Sequence, residues 1–326
     1  MHSTNTARVS VATEQVREMM HDVCSRYEVP EDGATIVVDH YLEGEVLGKT
    51  THGIDKFIFE SQFFRDRQGS PEVVADTGPM VKLDGKKEIG PIAAAHCTDL
   101  VMRKADEFGI GIAGINRIQR YGILGTWAER MSDRGYLGIV MNTCEPAMAG
   151  FGSTQKALGT NPISFGIRQE EKTNIIDMAC STSAMSLIWQ AKSEGKALPP
   201  DEFYNAGGEL TQDPSEAAAV RCFGGIKGFS LALLVQTITG PVFGFKSAHE
   251  IEHFYDAGYV FLALNPEKTS SLDDYVSANT RVISQLELMG TAIPGARRLL
   301  VDREKVAQIE LRAETVASLQ ELARPQ

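Results

Sequence analysis

From residue 80 onward, short apolar runs rich in β-branched residues alternate with longer stretches of helical periodicity, and this alternation constrains the fold more than any other feature. Six runs have the length and composition of strands: 80–83, 111–115, 137–141, 163–167, 174–178 and 259–264. Four stretches between them have helical spacing: 92–108, 123–134, 184–193 and 229–238. Strands and helices in alternation pack as a sheet with helices on its faces. The sequence therefore predicts an α/β fold.

Helical patterns also occupy both ends of the chain. Three helices are predicted near the N-terminus: one after a Ser10 cap, one starting at Pro30 and one starting at about Thr51. Two more are predicted at 276–288 and 305–322, where apolar residues recur at helical spacing and charged residues occupy the other face.

The length of 326 residues suggests about two domains, at roughly 150 residues each. We expect the two terminal parts, 1–75 and 266–326, to form one discontinuous helical domain. Residues 76–265 are then the α/β domain, which is long enough to bury its own core.

Composition excludes several classes of partner. The net charge is −11 and the Lys and Arg residues are scattered, so no basic patch is available for nucleic acid or an anionic membrane. The most apolar stretch, 229–245, is shorter than the ~20 residues needed to cross a bilayer. We therefore expect a cytoplasmic protein without membrane partners. The five cysteines contain no Cys-x-x-Cys pair, which predicts reduced, mostly buried thiols.

Three motifs resemble known sites but lack the required context. Residues 109–114 match the letters G-x-G-x-x-G, but these glycines follow a predicted helix and lie in a predicted strand, the reverse of a dinucleotide loop. Residues 48–50 lack the upstream glycine spacing of a phosphate loop. His249 and His253 are four residues apart without a third ligand, so no metal site is predicted.

A short polar motif marks the start of the third helix. Thr51, His52 and Gly53 place a hydroxyl, an imidazole and a residue without a side chain there. This suits a general acid that reaches into a crevice, although a helix cap with a hydrogen-bonded histidine is the other interpretation. The helix N-terminus disfavours imidazolium, so a proton donor needs a carboxylate partner. Asp177 is the candidate, because it ends an apolar strand where a buried acid must be paired.

Two turns carry groups that bind ligands in other proteins. Residues 159–162 contain Thr160 and Asn161, a hydroxyl and an amide able to orient a carbonyl. Residues 224–228 form a glycine-rich approach to a helix and contain Lys227. Taken alone, each segment is also compatible with an ordinary turn.

Taken in order, these segments resemble the malate/L-lactate dehydrogenase family, whose members lack a Rossmann fold. The similarity extends from about Val9 to the C-terminal helix and rests on five motifs. They are Thr-His-Gly at 51–53 for the family's Ser-His-Gly, Leu-Gly-Thr-Asn-Pro at 158–162, Ile-Asp-Met-Ala-Cys-Ser at 176–181 for Leu-Asp-Met-Ala-Thr-Ser, Gly-Gly-Ile-Lys-Gly at 224–228 for Gly-Gly-His-Lys-Gly, and Pro-Gly at 294–295.

The resemblance implies a homodimer with a mixed sheet, flanking helices and an extra helical domain, and NADH or NADPH as cofactor. It implies that His52 protonates the substrate, that Asp177 orients and charges the imidazole, and that Thr51 assists. The substrate-binding residues it implies are Lys56, Arg120, Tyr121, Thr160 and Asn161. The cofactor-binding residues it implies are Asp177, Met178, Ala179, Ser181, Thr182, Ile226, Lys227, Gly295, Ala296 and Arg297.

The chain departs from the family pattern where substrates are recognised. Residues 118–122 read Ile-Gln-Arg-Tyr-Gly instead of Ser-Asn-His-Phe-Gly, which puts Arg120 in place of a histidine. Lys56 replaces an arginine whose planar fork grips a carboxylate, and we expect Arg120 to take over that grip. Further departures are Ile226, Asn205 and Ala296.

The sequence therefore favours an NAD(P)H-dependent reductase or dehydrogenase that transfers hydride to a C=O or C=N bond beside a carboxylate. The substrate class is a 2-oxo acid or an imino acid, with altered recognition. Two alternatives stay open. One is a non-redox lyase, isomerase or condensing enzyme that reuses His52 and Asp177, and the other is a degenerate homologue that only binds a ligand.

Overall fold

The computed structural model describes residues 7–301 and 306–324, without the side chains of Arg297 and Leu300. Its strands are β1 (Arg8–Ala12), β2 (Glu72–Asp76), β3 (Met80–Glu88), β4 (Ile110–Ile118), β5 (Leu137–Asn142), β6 (Met148–Ala149), β7 (Lys156–Leu158), β8 (Ile163–Arg168), β9 (Thr173–Met178), β10 (Phe203–Asn205), β11 (Leu210–Thr211), β12 (Ala217–Val220), β13 (Tyr259–Leu264) and β14 (Gln308–Arg312). Its α-helices are α1 (Thr13–Arg26), α2 (Glu31–Val46), α3 (Ile54–Ser61), α4 (Gly90–Phe108), α5 (Leu124–Ser132), α6 (Ser186–Glu194), α7 (Ile226–Thr239), α8 (Leu272–Leu288) and α9 (Ala313–Ala323).

A seven-stranded sheet forms the centre of the molecule. Its order is β2-β3-β4-β13-β5-β8-β9, and β3 and β4 are parallel while the other neighbours are antiparallel. Helices α4 and α5 cover one face and share a core with Val140 and Phe261. On the other face, Val235 of α7 packs with Val260 and Phe243. The predicted mixed sheet with flanking helices is confirmed.

The two ends of the chain meet in a helical unit beside this sheet. Strand β1 pairs with β14, and side chains of α1, α2, α3 and α9 share one core that includes Tyr41 and Phe57. Helix α8 lies elsewhere and packs against β8. The predicted division into a domain of 1–75 with 266–326 and a domain of 76–265 stays a prediction.

Three predicted details of this unit are wrong. Ser10 is not a helix cap, because it lies in β1 and Ala12 precedes α1. The third helix is predicted to end at Gly69, before Pro71, but it ends at Ser61 and is followed by a 3-10 turn. The predicted helix at 305–322 contains β14, because residues 308–312 alternate polar and apolar side chains that fit a strand, and only then does α9 begin.

A second sheet of five short strands is absent from the sequence prediction. Its order is β11-β10-β12-β6-β7, and its strands are only two to four residues long. Phe203, Val220 and Met148 from these strands pack with Ile188 of α6. Such short strands are stabilised by this shared core rather than by their own periodicity.

The glycines of 109–114 serve packing. Gly109 ends α4 with φ +82°, a left-handed conformation that favours glycine. Gly111 and Gly114 lie in β4, where a Cβ would stand 2.1 Å from the carbonyl oxygen of Val101 and 2.3 Å from the ring of Phe243. The helix precedes the strand, which confirms that this is not a dinucleotide loop.

One stretch, Ile226–Phe243, is apolar enough and long enough to meet a composition test for a membrane span, and 39% of it is buried. The α-helix within it has 14 residues, short of the ~20 needed. In the described ranges no group of three His, Cys, Asp or Glu residues could hold a metal ion. Cys24, Cys97 and Cys180 are buried free thiols, as predicted for most cysteines of the chain.

Candidate active site

His52 lies at the end of a 3-10 turn, Thr50–His52, that directly precedes α3. The turn is packed closely onto α2. The His52 N–H donates to the Lys49 carbonyl at 2.8 Å, and the Lys49 N–H donates to the Gly44 carbonyl at 2.9 Å. A Cβ on Gly44 would lie 2.5 Å from the His52 carbonyl oxygen, so this approach requires glycine. The backbone that carries the imidazole is therefore fixed.

The imidazole of His52 is neutral at neutral pH. Its pKa is lowered from 6.5 to about 4, mainly by burial and then by the positive charge of Lys56, while Lys49 lowers it further and Asp177 raises it. The Thr51 hydroxyl lies 3.0 Å from His52 Nδ1. A neutral, partly buried imidazole with one nitrogen engaged has a second nitrogen available for proton exchange with a ligand.

Asp177 is near His52 but bonds to another residue. Its Oδ2 accepts a hydrogen bond from Lys49 Nζ at 2.6 Å, and the exposed fractions of the two side chains are 16% and 41%. Across the described part of the chain, no hydrogen bond joins Asp177 to His52. The carboxylate therefore favours the imidazolium only through space, and its orienting role stays a prediction.

A cleft of about 790 Å³ opens beside this turn, lined by Thr51, Lys56 and Arg120 among others. Both predicted carboxylate-binding cations already face acids there. Lys56 Nζ lies 2.9 Å from Glu60 Oε1, and Arg120 Nη2 lies 3.8 Å from Glu145 Oε1. The Arg120 guanidinium also stacks on the ring of Phe254, 4.7 Å from its centroid. The 3.8 Å pair is the looser one, so Arg120 is the cation more readily available to a ligand.

The other predicted substrate residues point into the protein. Tyr121 is buried and its hydroxyl donates to Asn142 Oδ1 at 2.9 Å. Thr160 hydrogen bonds with the Cys144 thiol.

Asn161 is fully buried, its Nδ2 donates to the Ala232 carbonyl at 2.9 Å, and its Oδ1 accepts from Thr143 at 3.1 Å. These contacts make Asn161 a support for the turn. A substrate contact by Tyr121, Thr160 or Asn161 stays a prediction.

The three predicted cofactor segments meet around the end of β9. The Thr182 N–H donates to the Arg221 carbonyl at 2.8 Å, which joins residues 177–182 to the approach of α7. Gly295 lies against β9, where a Cβ would stand 2.1 Å from the Ile175 carbonyl oxygen. The sequence segments that are far apart along the chain are thus neighbours.

Within these segments the described side chains differ in access. Met178, Ile226 and Lys227 are exposed, whereas Ser181 is buried and donates to the Ser183 carbonyl at 2.7 Å. Ala179, Thr182, Gly295 and Ala296 are partly exposed or exposed. The Arg297 side chain lies outside what the structure describes. Asn205, one of the departures, hydrogen bonds with Glu209 in the small sheet.

Sequence reasoning missed Lys49, Glu60, Glu145 and Arg298. Lys49 is three residues before His52, but nothing local indicates that it reaches Asp177. Arg298 follows the predicted cofactor segment and bonds to Glu43 and Glu129 at 2.8 and 2.6 Å. The i,i+4 spacing of Lys56 and Glu60 is a local signal that indicates their ion pair. The other partners are separated by longer stretches of sequence, which no motif spans.

A family model described as malate/L-lactate dehydrogenase matches residues 11–320. The chain belongs to the malate/L-lactate dehydrogenase family. It is 25% identical over 328 residues to an L-sulfolactate dehydrogenase of Methanothermobacter thermautotrophicus, covering 96% of each chain. It is 28% identical over 313 residues to a (2R)-3-sulfolactate dehydrogenase (NADP(+)) of Chromohalobacter salexigens, covering 90% of this chain and 92% of the relative.

The malate/L-lactate dehydrogenase fold is shared as well. A dehydrogenase structure from Sinorhizobium meliloti superimposes with a TM-score of 0.90 at 24% identity, over 98% of this chain and all of that one. The predicted family is therefore confirmed. Its curated relatives are dehydrogenases and reductases, so the chain is an oxidoreductase of this family.

Proposed function

We propose that this protein uses NADH or NADPH to transfer hydride between the cofactor and a C–O or C–N centre beside a carboxylate, with His52 as the proton-exchanging group. The observation that carries the proposal is the position of the His52 turn. It lies at the wall of a cleft that also contains the cations Lys56 and Arg120, which are the groups that recognise a carboxylate.

The protonation state of His52 supports proton exchange in both directions. In the ligand-free protein the low pKa leaves an imidazole able to accept a proton from a hydroxyl or amine. Among the neighbouring charges, that of Lys56 lowers the His52 pKa most. A substrate carboxylate bound beside Lys56 would offset that charge and raise the His52 pKa, which favours the protonated form that reduction requires.

The glycine-rich approach to α7 fits a cofactor phosphate. Gly224 and Gly225 have φ of +54° and +61°, and α7 begins without a side-chain cap. Ile226 is exposed and Lys227 adds a cation, whereas the Gly228 N–H already donates to the Phe223 carbonyl at 3.1 Å. Backbone N–H groups at such a terminus bind phosphate. Residues 177–182 and 295–297 would hold the rest of the nicotinamide cofactor, which when bound supplies the hydride.

A cofactor titration tests the proposal. NADH and NADPH are added separately to the purified protein while their fluorescence is followed, and 2-oxo acids and imino acids are then screened with the cofactor that binds. We expect binding of at least one cofactor and its oxidation by a member of the screen. If neither binds at millimolar concentration, the hydride-transfer proposal fails and a non-redox or ligand-binding role takes its place.

The proposed binding of the substrate carboxylate by Arg120 is tested by substitution. Replacing Arg120 with methionine is expected to raise the KM of a carboxylate substrate by about 10-fold to 100-fold, because a hydrogen bond to a charged group contributes about 1.5–3 kcal/mol. The KM of the matching amide should change little. Arg117→Met, three residues earlier in β4 and ion-paired with Asp84, is the control. Equal effects of Arg120→Met on the acid and the amide would refute the grip.

The homodimer remains a proposal from the resemblance, and the cytoplasmic location remains a proposal from the composition. Four large apolar side chains are exposed on or just after α7, namely Ile226, Leu233, Leu234 and Val242. Sedimentation of the purified protein measures whether it is a dimer in solution.

A further inference from the structure

The half-buried ion pair between Lys49 and Asp177 is not explained by the proposed roles of His52 and the cofactor segments. Asp177 was expected to pair with His52, yet its Oδ2 is occupied by the Lys49 ammonium at 2.6 Å. At this length the contact is a charge-assisted hydrogen bond. Because the Asp177 side chain is only 16% exposed, the pair is less screened by solvent than a surface ion pair.

Lys49 belongs to the same short turn as His52. Its carbonyl accepts the His52 N–H and its own N–H donates to Gly44 of α2. The backbone of Lys49 is thus tied to the helical unit, while its side chain reaches strand β9 of the central sheet. This single side chain therefore links the turn that carries the imidazole to the strand that carries the acid.

We propose that Lys49 is a positioning residue. Its ammonium fastens the His52 turn to Asp177 and occupies the carboxylate oxygen that would otherwise be available to the imidazole. Asp177 then acts on His52 through space and not through a hydrogen bond. The catalytic consequence rests on the proposed role of His52, whereas the arrangement itself is a property of the ligand-free protein.

The charged and titratable groups around His52 determine in which direction its pKa should change when Lys49 is replaced. Lys49 on its own turn and Lys56 on α3 disfavour the imidazolium, and Asp177 on β9 favours it. His40 on α2 also faces His52, and since burial lowers the pKa of His40 to about 3, it is neutral. Removing the Lys49 charge removes one repulsive interaction with the imidazolium and frees the Asp177 carboxylate that attracts it.

The test is an NMR titration of His52 in the ligand-free protein. In Lys49→Met we expect the His52 midpoint to rise by roughly 1 to 3 pH units, the range typical of a nearby opposite charge. Lys49→Arg keeps a cation and should restore the low midpoint. In the double variant Lys49→Met with Asp177→Asn, the rise should be smaller than in Lys49→Met alone, because the released acid is gone.

Two outcomes would overturn the role of Lys49: an unchanged or lower His52 midpoint in Lys49→Met, or an equal rise in the single and double variants. Should Lys49→Met not fold, as judged by circular dichroism, Lys49→Gln and Asp177→Asn are titrated instead. Asp177→Asn alone must then leave the midpoint at or below that of the unsubstituted protein, and Lys49→Gln must raise it. Failure of cofactor binding would contradict the proposed function but would not affect the result of this titration.

Discussion

Replacing His52 with alanine is expected to lower kcat by about 10²-fold to 10⁴-fold, the range that a positioned general acid or base supplies. The turn that carries the imidazole contributes Thr50 and Thr51 to the wall of the cleft, and the Thr51 hydroxyl lies 3.0 Å from His52 Nδ1. Binding of the nicotinamide cofactor should persist, because the predicted cofactor segments lie around β9 and α7. Steady-state kinetics and the fluorescence titration measure the two effects separately.

The matched control is His249→Ala, since His249 is exposed in a 3-10 turn outside the cleft. Its kcat should stay within about twofold of the unsubstituted protein, as expected for a surface substitution. If His52→Ala kept the kcat of this control, His52 would be a structural residue of the turn, and proton exchange would have to be assigned to another group.

The second large effect is expected at Arg298, and it concerns stability. Its guanidinium donates to Glu43 and Glu129 at 2.8 and 2.6 Å, and the three side chains are 8%, 12% and 12% exposed. Removing one partner of such a group leaves buried charge that has lost its compensation. Arg298→Met is therefore expected to lower the free energy of unfolding by about 3–5 kcal/mol, measured by urea denaturation.

An exposed ion pair supplies the comparison for Arg298. Arg134 is 52% exposed and lies 3.0 Å from Asp99, so Arg134→Met should cost about 1 kcal/mol or less. A similar, small loss in both variants would show that the Arg298 cluster is no more important for folding than a surface pair.

The long elements were predictable because they repeat their pattern over many residues. Strand β13 was predicted at its observed bounds, Tyr259–Leu264, and α4 within two residues of its start. The strands of the small sheet were not, since two to four residues do not establish a period. Residues 308–312 were assigned to a helix because the helical pattern of α9 follows them directly, and only the partner strand β1 makes them a strand.

In the candidate site, too, some features were predictable from the sequence and others were not. Thr51, Lys56 and Arg120 were predicted to share a site, and they line one cleft. The ion pairs that join distant parts of the chain around this site were not predictable. Lys49 and Asp177 are 128 positions apart, and Arg298 and Glu43 are 255 apart. Contacts of this kind depend on how the helical unit and the sheet come together, which no local pattern records.

The pairing of β1 with β14 has a consequence for how the polypeptide is made. Ser10 pairs with Glu310, so the first strand has no partner until the ribosome has added roughly 300 more residues, about 15–60 s at typical synthesis rates. During that time the apolar faces of α1 and α3 lack the covering that α9 later provides. Nascent chains of this protein should therefore be clients of chaperones, and the helical unit should become protease-resistant only once β14 and α9 have left the ribosome.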